Sequence, residues 1–295
     1  MCEYIPAKSI VYRDAKGVSW FGGDYKMNIY RGCSHGCIYC DSRSDCYQNP
    51  EFDTIKAKEN ALAIIRSDLS RKTKTGVIMT GSASDPYNPL EKTLCLSRQA
   101  LELIHAYGFG VGIATKSPLI TRDTDILRAI GEFSPVIIKI TVTCADDTLA
   151  RKLEPNVPAS SARFAALGEL RNQGLFAGIL LMPVMPFITD TADNILGIVA
   201  QAKACGARFI YPGMGVTMRS GQREYMYRSF DKVFPGMKEK YIQAFGHTYS
   251  CGTPAYRQIW PQFKGACDEA GILYRMEDII SGYKSVYGGK QPTLF

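Results

Sequence analysis

Short apolar runs alternate with amphipathic stretches along most of this chain. Six runs read as strands: "MNIYR" (27–31), "TGVIMTG" (75–81), "GVGIATK" (110–116), "VIIKITV" (136–142), "FAGILLMP" (176–183) and "ARFIYPG" (207–213). They are rich in Ile and Val and too short for helices. Between them lie helical patterns. Residues 53–69 place Ile55, Ala61, Leu62, Ile65 and Leu69 on one face. The stretches 93–107, 123–130, 161–174 and 191–206 follow suit, with Asp123 and Asp190 positioned as caps and Gly174 and Gly206 as stops. Six βα repeats with buried parallel strands require a sheet covered by helices, hence an α/β fold. The spacing suits a doubly wound sheet or an incomplete barrel. No G-x-G-x-x-G follows the first strand, which disfavours a dinucleotide fold. In either architecture, chemistry belongs at the carboxyl ends of the strands. The chain divides into an irregular lead-in (1–22), the repeats (23–213) and a mostly helical extension (214–295). In the extension, 223–246 reads as two helices interrupted near Pro235, and 255–271 as a helix bent at Pro261.

At 295 residues and 46% hydrophobic, the chain is long enough for one large domain or two modest ones. It has no run of roughly 20 apolar residues, so no membrane span is expected. Nor does an apolar segment follow a basic one at the start, so the expected location is the cytoplasm. Lysine and arginine exceed aspartate and glutamate by 35 − 28 = 7, which permits an anionic partner such as nucleic acid without requiring one. Ten cysteines in such a chain are not a disulfide framework. Cys95, Cys144 and Cys205 sit in apolar surroundings and read as small core residues.

Three other cysteines directly follow the first strand, in "YRGCSHGCIYCDSR". Cys33, Cys37 and Cys40 can wrap one centre, and thiolates are soft ligands for zinc or iron–sulfur clusters. A closed site would take a fourth ligand from His35 or Cys46, giving structural zinc or a ferredoxin-like cluster. With no fourth protein ligand, one iron of a four-iron cluster stays open, as catalytic centres require. Buried free thiols fit poorly with a polar, glycine-containing loop.

"CSHGCIYC" resembles the C-x₃-C-x₂-C signature of radical S-adenosylmethionine (SAM) enzymes, with Tyr39 before the last cysteine. The wider context resembles the spore-photoproduct-lyase-like branch. That likeness continues through "TGSASDPYNPLE" (80–91), "ATKSPLITRDTDIL" (114–127), "TVTCADDTLARKLEPNVPASSARFAAL" (141–167) and "LMPVMPFITDTADNI" (181–195), about residues 25 to 212 in all. The resemblance implies a partial (β/α)₆ TIM-type barrel with the extension added. It implies a [4Fe-4S] cluster on Cys33, Cys37 and Cys40, with SAM chelating the fourth iron. One electron from the reduced cluster would break the S–C5′ bond of SAM, giving methionine and a 5′-deoxyadenosyl radical that abstracts hydrogen. Reduction calls for an electron donor such as flavodoxin or ferredoxin, and the protein is expected to act as a monomer.

The same resemblance assigns roles around SAM. Tyr39 is an aromatic wall or packs under the loop. Ser82, Ser84 and Asp85 lie beside the SAM amino group, although Asp85 also suits a turn cap, and Tyr87 reaches toward the substrate. Lys116, at the end of a strand, either meets the SAM carboxylate, with Ser117 adjacent, or packs its stem and sends its head to solvent. Thr141 and Thr143 offer hydroxyls, and Glu154 either binds the ribose or pairs with Arg163. By position rather than resemblance, Arg31 and Arg43 either flank the cluster and tune it by charge or lie on the surface, and Arg219 and Arg223, after strand six, are candidate substrate contacts. Lyases of the branch return a hydrogen atom from a cysteine in the loop after strand two. Here that loop reads Gly81, Ser82, Ala83, Ser84, Asp85 and has none. Tyr87 and Cys144 are the candidate substitutes. Two classes of function follow: a hydrogen-abstracting or lyase-like enzyme whose substrate is nucleic acid, peptide or metabolite, and a non-catalytic Fe–S or zinc protein that binds nucleic acid.

Overall fold

The computed structural model describes residues 2–13 and 20–287. Six parallel strands form its centre: β1 (Tyr25–Met27), β2 (Val77–Thr80), β3 (Gly110–Thr115), β4 (Val136–Thr141), β5 (Ala177–Leu181) and β6 (Ile210–Pro212). They lie side by side in chain order, β1 to β6, and Val11–Arg13 adds an antiparallel strand outside β1. An order that never reverses has no switch point, which rules out the doubly wound alternative. β6 and Val11–Arg13 are the two edges of this sheet and do not pair with each other, so the arrangement is a partial barrel and not a closed one.

The longer helices are α1 (Ala61–Ser70), α2 (Leu96–Ala106), α3 (Thr124–Gly131), α4 (Ser160–Asn172), α5 (Ala192–Ala204), α6 (Gln222–Val233), α7 (Met237–Phe245), α8 (Tyr256–Ala270) and α9 (Met276–Lys284). Alternation along the strands sorts their side chains into two layers. On β4, Val136, Ile138 and Ile140 join the core under the helices, while Ile137 belongs to the inner wall of the half-barrel. That wall also holds Phe21, Met79, Leu180 and Phe209, and α9 closes it with Ile279 and Tyr283. The interrupted helix near Pro235 and the helix carrying Pro261 both form, as α6–α7 and α8. α8 packs on α5 and sends Ile259, Phe263 and Cys267 into the core under the helices.

Several local expectations change. The first sheet strand is Tyr25–Met27, because Tyr30–Arg31 pairs instead with Lys56–Lys58, which also pairs with Glu3–Ile5. That pairing removes 56–58 from the helix expected over 53–69, and the chain turns at Asn60 (φ 50°) before α1 begins. The helix expected over 93–107 breaks at Cys95, which is left-handed with φ 50°. The lead-in is not wholly irregular, since Glu3–Ile5 and Val11–Arg13 are strands. Asp68 of α1 grips the second of these, accepting from the N–H groups of Ile10 (2.7 Å) and Val11 (2.9 Å). Residues 14–19 of the lead-in and 288–295 of the extension lie outside the described residues. Asp123 and Asp190 do not cap by side chain: Asp123 accepts from the Tyr87 hydroxyl, Asp190 from Thr253, and Thr191 caps α5. Gly174 (φ 81°) and Gly206 (φ 71°) do follow the ends of α4 and α5. The structure adds the helix Asp147–Leu153, the helix α9 and the hairpin of Gly215–Thr217 with Ser250–Gly252 to the elements expected from the sequence.

Candidate active site

The cysteine loop leaves Tyr30–Arg31 through Gly32, whose φ is 81°. A Cβ there would lie 2.1 Å from the Thr54 carbonyl oxygen, so only glycine fits. Gly36 supplies a second left-handed turn at φ 69°. Between and beyond them, Cys33, Cys37 and Cys40 line one cavity of about 500 Å³ at the carboxyl ends of β2, β3 and β4. The opposite wall comes from Gly81, Ser82, Ala83, Ser84 and Asp85 after β2, Ala114, Thr115 and Lys116 at the end of β3, and Thr141 of β4. His35, Ser42 and Phe52 complete the lining, and none of these three was marked by the sequence as part of a SAM pocket. Phe52 in particular sits among irregular residues, in a place where no spacing rule points to it.

Burial pushes all three thiols up, Cys33 to about 11. His35, with Nδ1 3.8 Å from Asp85 Oδ2, is pushed below its ordinary value by burial against the opposing pull of Asp85, so it is neutral at pH 7. Among the described residues, no three His, Cys, Asp or Glu side chains form a group that would hold a single metal ion. A four-iron cube makes a different demand: each thiolate binds a separate iron, so its donors surround a volume and do not meet at a point. Three soft thiols on the wall of one cavity fit that donor geometry. Cys46 does not line the cavity; its Sγ lies 3.1 Å from Ser44 Oγ and 3.2 Å from Arg219 Nη1.

Asp85 ties the β2 loop to the end of β3. Its Oδ1 accepts from the Tyr87 N–H (2.8 Å) and the Thr115 hydroxyl (2.6 Å), and its Oδ2 from the Lys116 N–H (2.8 Å). A carboxylate has about four acceptor sites, so at most one is left over. Ser84 donates to the Tyr30 carbonyl (3.0 Å), while Ser82 is exposed at the rim. Lys116 is half-buried and has no ion pair among the described residues; its Nζ lies 5.7 Å from the centre of the Tyr39 ring. Burial opposes its charge, but the neighbouring Cys37 and Glu154 outweigh burial and lift it to about 12.

Behind the cysteine loop lies a buried polar knot. Tyr39 and Thr143 both donate to Glu154 Oε1, and Arg163 Nη2 lies 2.7 Å from Glu154 Oε2. Burial raises the Glu154 carboxyl, yet Arg163 and Lys116 win and hold it below the ordinary range. Arg163 also donates to the Thr141 carbonyl (2.7 Å). Glu154 is thus paired with Arg163, and Tyr39 packs beneath the loop; neither lines the cavity, nor does Thr143 or Ser117. Ser117 accepts from the Leu119 N–H and caps the short turn after β3.

The two candidate hydrogen donors lie elsewhere. Tyr87 is 2% exposed, with its hydroxyl 3.0 Å from Asp123 Oδ2. Cys144 is fully buried among Leu153, Met185 and neighbours, and burial pushes its thiol up to about 12. Neither lines the cavity, because the chain beyond β2 and β4 turns both side chains into packed layers. The four arginines are also spoken for. Arg31 donates to the Gln48 carbonyl, Arg43 lies between the Phe52 and Tyr225 rings and pairs with Asp53, Arg219 pairs with Asp41 (3.2 Å), and Arg223 donates to three carbonyls. The extension braces this loop from outside: Gln222 Nε2 donates to the Tyr39 carbonyl (3.0 Å) and Asp45 N–H to the Ser220 carbonyl (3.1 Å).

The fold and the loop can be set beside known proteins. An uncharacterized protein of Mycobacterium tuberculosis is 28% identical over 242 residues, covering 80% of this chain and 71% of that protein. Another from Methanocaldococcus jannaschii is 31% identical over 179 residues, 60% of this chain and 66% of that one. A spore photoproduct lyase complexed with dinucleoside spore photoproduct superimposes with a TM-score of 0.66 over 89% of this chain and 78% of the lyase, at 14% identity, which establishes a shared fold. The sequence profile of the Radical SAM superfamily matches residues 27–197, more than half of the chain and the whole stretch from the cysteine loop through β5 into α5. The chain therefore belongs to the radical SAM superfamily and is a radical-generating enzyme.

Proposed function

We propose that the protein is a [4Fe-4S]-dependent radical SAM enzyme in which Cys33, Cys37 and Cys40 hold the cluster and the facing wall holds SAM. The observation that supports this reading is one cavity with three thiols on one side and the Lys116 ammonium on the other. The cluster and SAM together supply the reductive cleavage that makes a carbon radical. The chain's own residues bind, orient and exclude. Lys116 faces the SAM carboxylate with a charge that no side chain among the described residues pairs with. Thr141 and the Gly81–Ser84 backbone offer hydrogen-bonding partners along the same wall. Asp85 fixes that wall by joining the β2 loop to β3. The Tyr39–Glu154–Arg163 knot fixes the cysteine loop from behind. Residues 23–213 form the working core in this reading, 214–295 support it, and an external carrier of the flavodoxin or ferredoxin class delivers the electron.

The test is anaerobic reconstitution with iron and sulfide. About four irons per chain are expected, with a cluster spectrum that changes when SAM is added. Ala at Cys33, Cys37 or Cys40 should abolish the cluster, and Cys46→Ala should keep it. A cluster lost with Cys46, or a spectrum indifferent to SAM, would sink the open-iron reading and favour a closed, non-catalytic centre.

A further inference from the structure

At the far end of the sheet from the cysteines, a second hollow of about 1100 Å³ opens beside the amino ends of β4, β5 and β6. β4 alone, from Val136 beside this hollow to Thr141 in the active cavity, spans about 17 Å at the rise of a parallel strand. Three guanidiniums line the hollow: Arg128 from the last turn of α3, Arg171 from the last turn of α4, and Arg208 just before β6. None of the three has an ion pair among the described residues, although the carboxylate of Glu132 also belongs to the wall.

Helix ends explain part of this. Cations suit the carboxyl ends of helices, and Arg171 donates to the carbonyls of Gly206 (2.7 Å) and Leu175. Arg128 likewise reaches Gln173 Oε1 at 3.3 Å. Arg208 has no such duty. It is exposed, its guanidinium carbon stands 5.9 Å from the Phe176 ring, and it is close enough to Arg171 to lower that group's basicity, second only to burial. Three like charges brought together around a concave surface that offers one carboxylate, Glu132, are what an anion site looks like before its ligand arrives.

We infer that this hollow binds a phosphate ester of nucleotide size, at a site separate from the reaction cavity. Planar guanidiniums match phosphate oxygens two at a time, and converging guanidiniums suit a group bearing more than one negative charge. About 500 Å³ of the hollow is enclosed enough to hold a ligand, within the range of small-molecule sites. Phe176 and Tyr287 give the wall aromatic surface beside the charges, as a base ring requires. The Tyr287 hydroxyl is held by the Gly131 carbonyl (2.6 Å), so that ring is fixed in place.

The experiment is calorimetric titration of the reconstituted protein with ADP, at low salt and with SAM in excess so that the reaction cavity is filled. ADP should bind, inorganic pyrophosphate should compete, and Arg208→Gln and Arg128→Gln should each weaken binding about tenfold. Reductive SAM cleavage should be the same in both variants, since neither residue touches the reaction cavity. Undetectable ADP binding, or full affinity in both variants, overturns the inference. So does a single-stranded oligonucleotide that binds through Arg208 while ADP does not, because the ligand would then be a nucleic-acid backbone. A melting temperature for each variant near that of the parent excludes misfolding as the cause of lost binding.

Discussion

Lys116 and Lys139 are two lysines from neighbouring strands with opposite electrostatic fates. Lys116 keeps its charge beside anionic groups, and in the proposed reading it meets the SAM carboxylate. Lys116→Met should weaken SAM binding about 10- to 150-fold in equilibrium titration, as loss of a charge-assisted contact worth about 1.5–3 kcal/mol requires. The cluster should survive, as read from its iron content. Lys139, by contrast, is 1% exposed on β4, with Met79 Sδ at 3.3 Å and the Phe21 ring at 4.9 Å, and burial alone lowers it to about 7. The unfolded chain holds that proton up to about 10.5, the folded chain only to about 7. Folding therefore releases a proton between those values, so stability rises with pH across that window by up to about 1.4 kcal/mol per unit. Below about 7 the penalty is fully present. Lys139→Met should flatten this dependence and raise stability at pH 6, as measured by denaturant unfolding from pH 6 to 9. An unchanged slope would show that the lysine finds water or a counter-charge. The sequence marked Lys116 by its place at a strand end. It could not mark Lys139, because a lysine inside "VIIKITV" reads the same whether it faces solvent or the inner wall.

At the scale of elements, the cysteine loop depends on what stands behind it. The Glu154–Arg163 pair is buried on both sides, and removing one partner of such a pair costs about 3–5 kcal/mol. Arg163→Met should therefore lower the free energy of unfolding, measured with denaturant, by an amount in that range and loosen Tyr39, which would show as weaker cluster retention under chelator. Gly32→Ala should be as harmful for a different reason, since its Cβ meets carbonyl oxygens of Thr54 and Phe52 at 2.1 and 2.9 Å. The strand cores and helix stops were legible because Ile and Val runs and the glycines after α4 and α5 carry their meaning locally. Element edges were not. Lys56–Lys58 lies in an amphipathic stretch and becomes a strand only because Tyr30–Arg31 and Glu3–Ile5 pair with it on either side. The candidate donors Tyr87 and Cys144 lie outside the cavity lining for the same cause: a side chain's distance in sequence from the cavity says nothing about which layer it enters.

For the whole molecule, likeness of fold and likeness of reaction separate. The lyase fold is shared across most of the chain, yet the lining of the cavity contains no thiol beyond Cys33, Cys37 and Cys40 among the described residues. We expect SAM to be cleaved with dithionite, giving 5′-deoxyadenosine, and no thymine to be recovered from dinucleotide spore photoproduct by chromatography. Multiple turnovers to intact thymidine would overturn that expectation. Retention of DNA on a gel would not, because a net charge of +7 is enough to favour phosphate contacts of little discrimination, which salt would release.

The order in which this sheet is laid down has a consequence in time. Each parallel strand pairs with the one made just before it, so pairing can follow the chain as it leaves the ribosome. The inner wall cannot finish that way. Tyr283 donates to the Phe21 carbonyl and Lys284 to that of Gly22, contacts that join residues 262 positions apart. Met79, Lys139 and Phe209 share the inner wall that α9 closes, so docking of α9 completes the burial that lowers Lys139. Docking of α9 should therefore be linked to pH through that lysine: protection of the α9 amides from hydrogen exchange should fall from pH 9 to pH 6 in the parent and stay level in Lys139→Met.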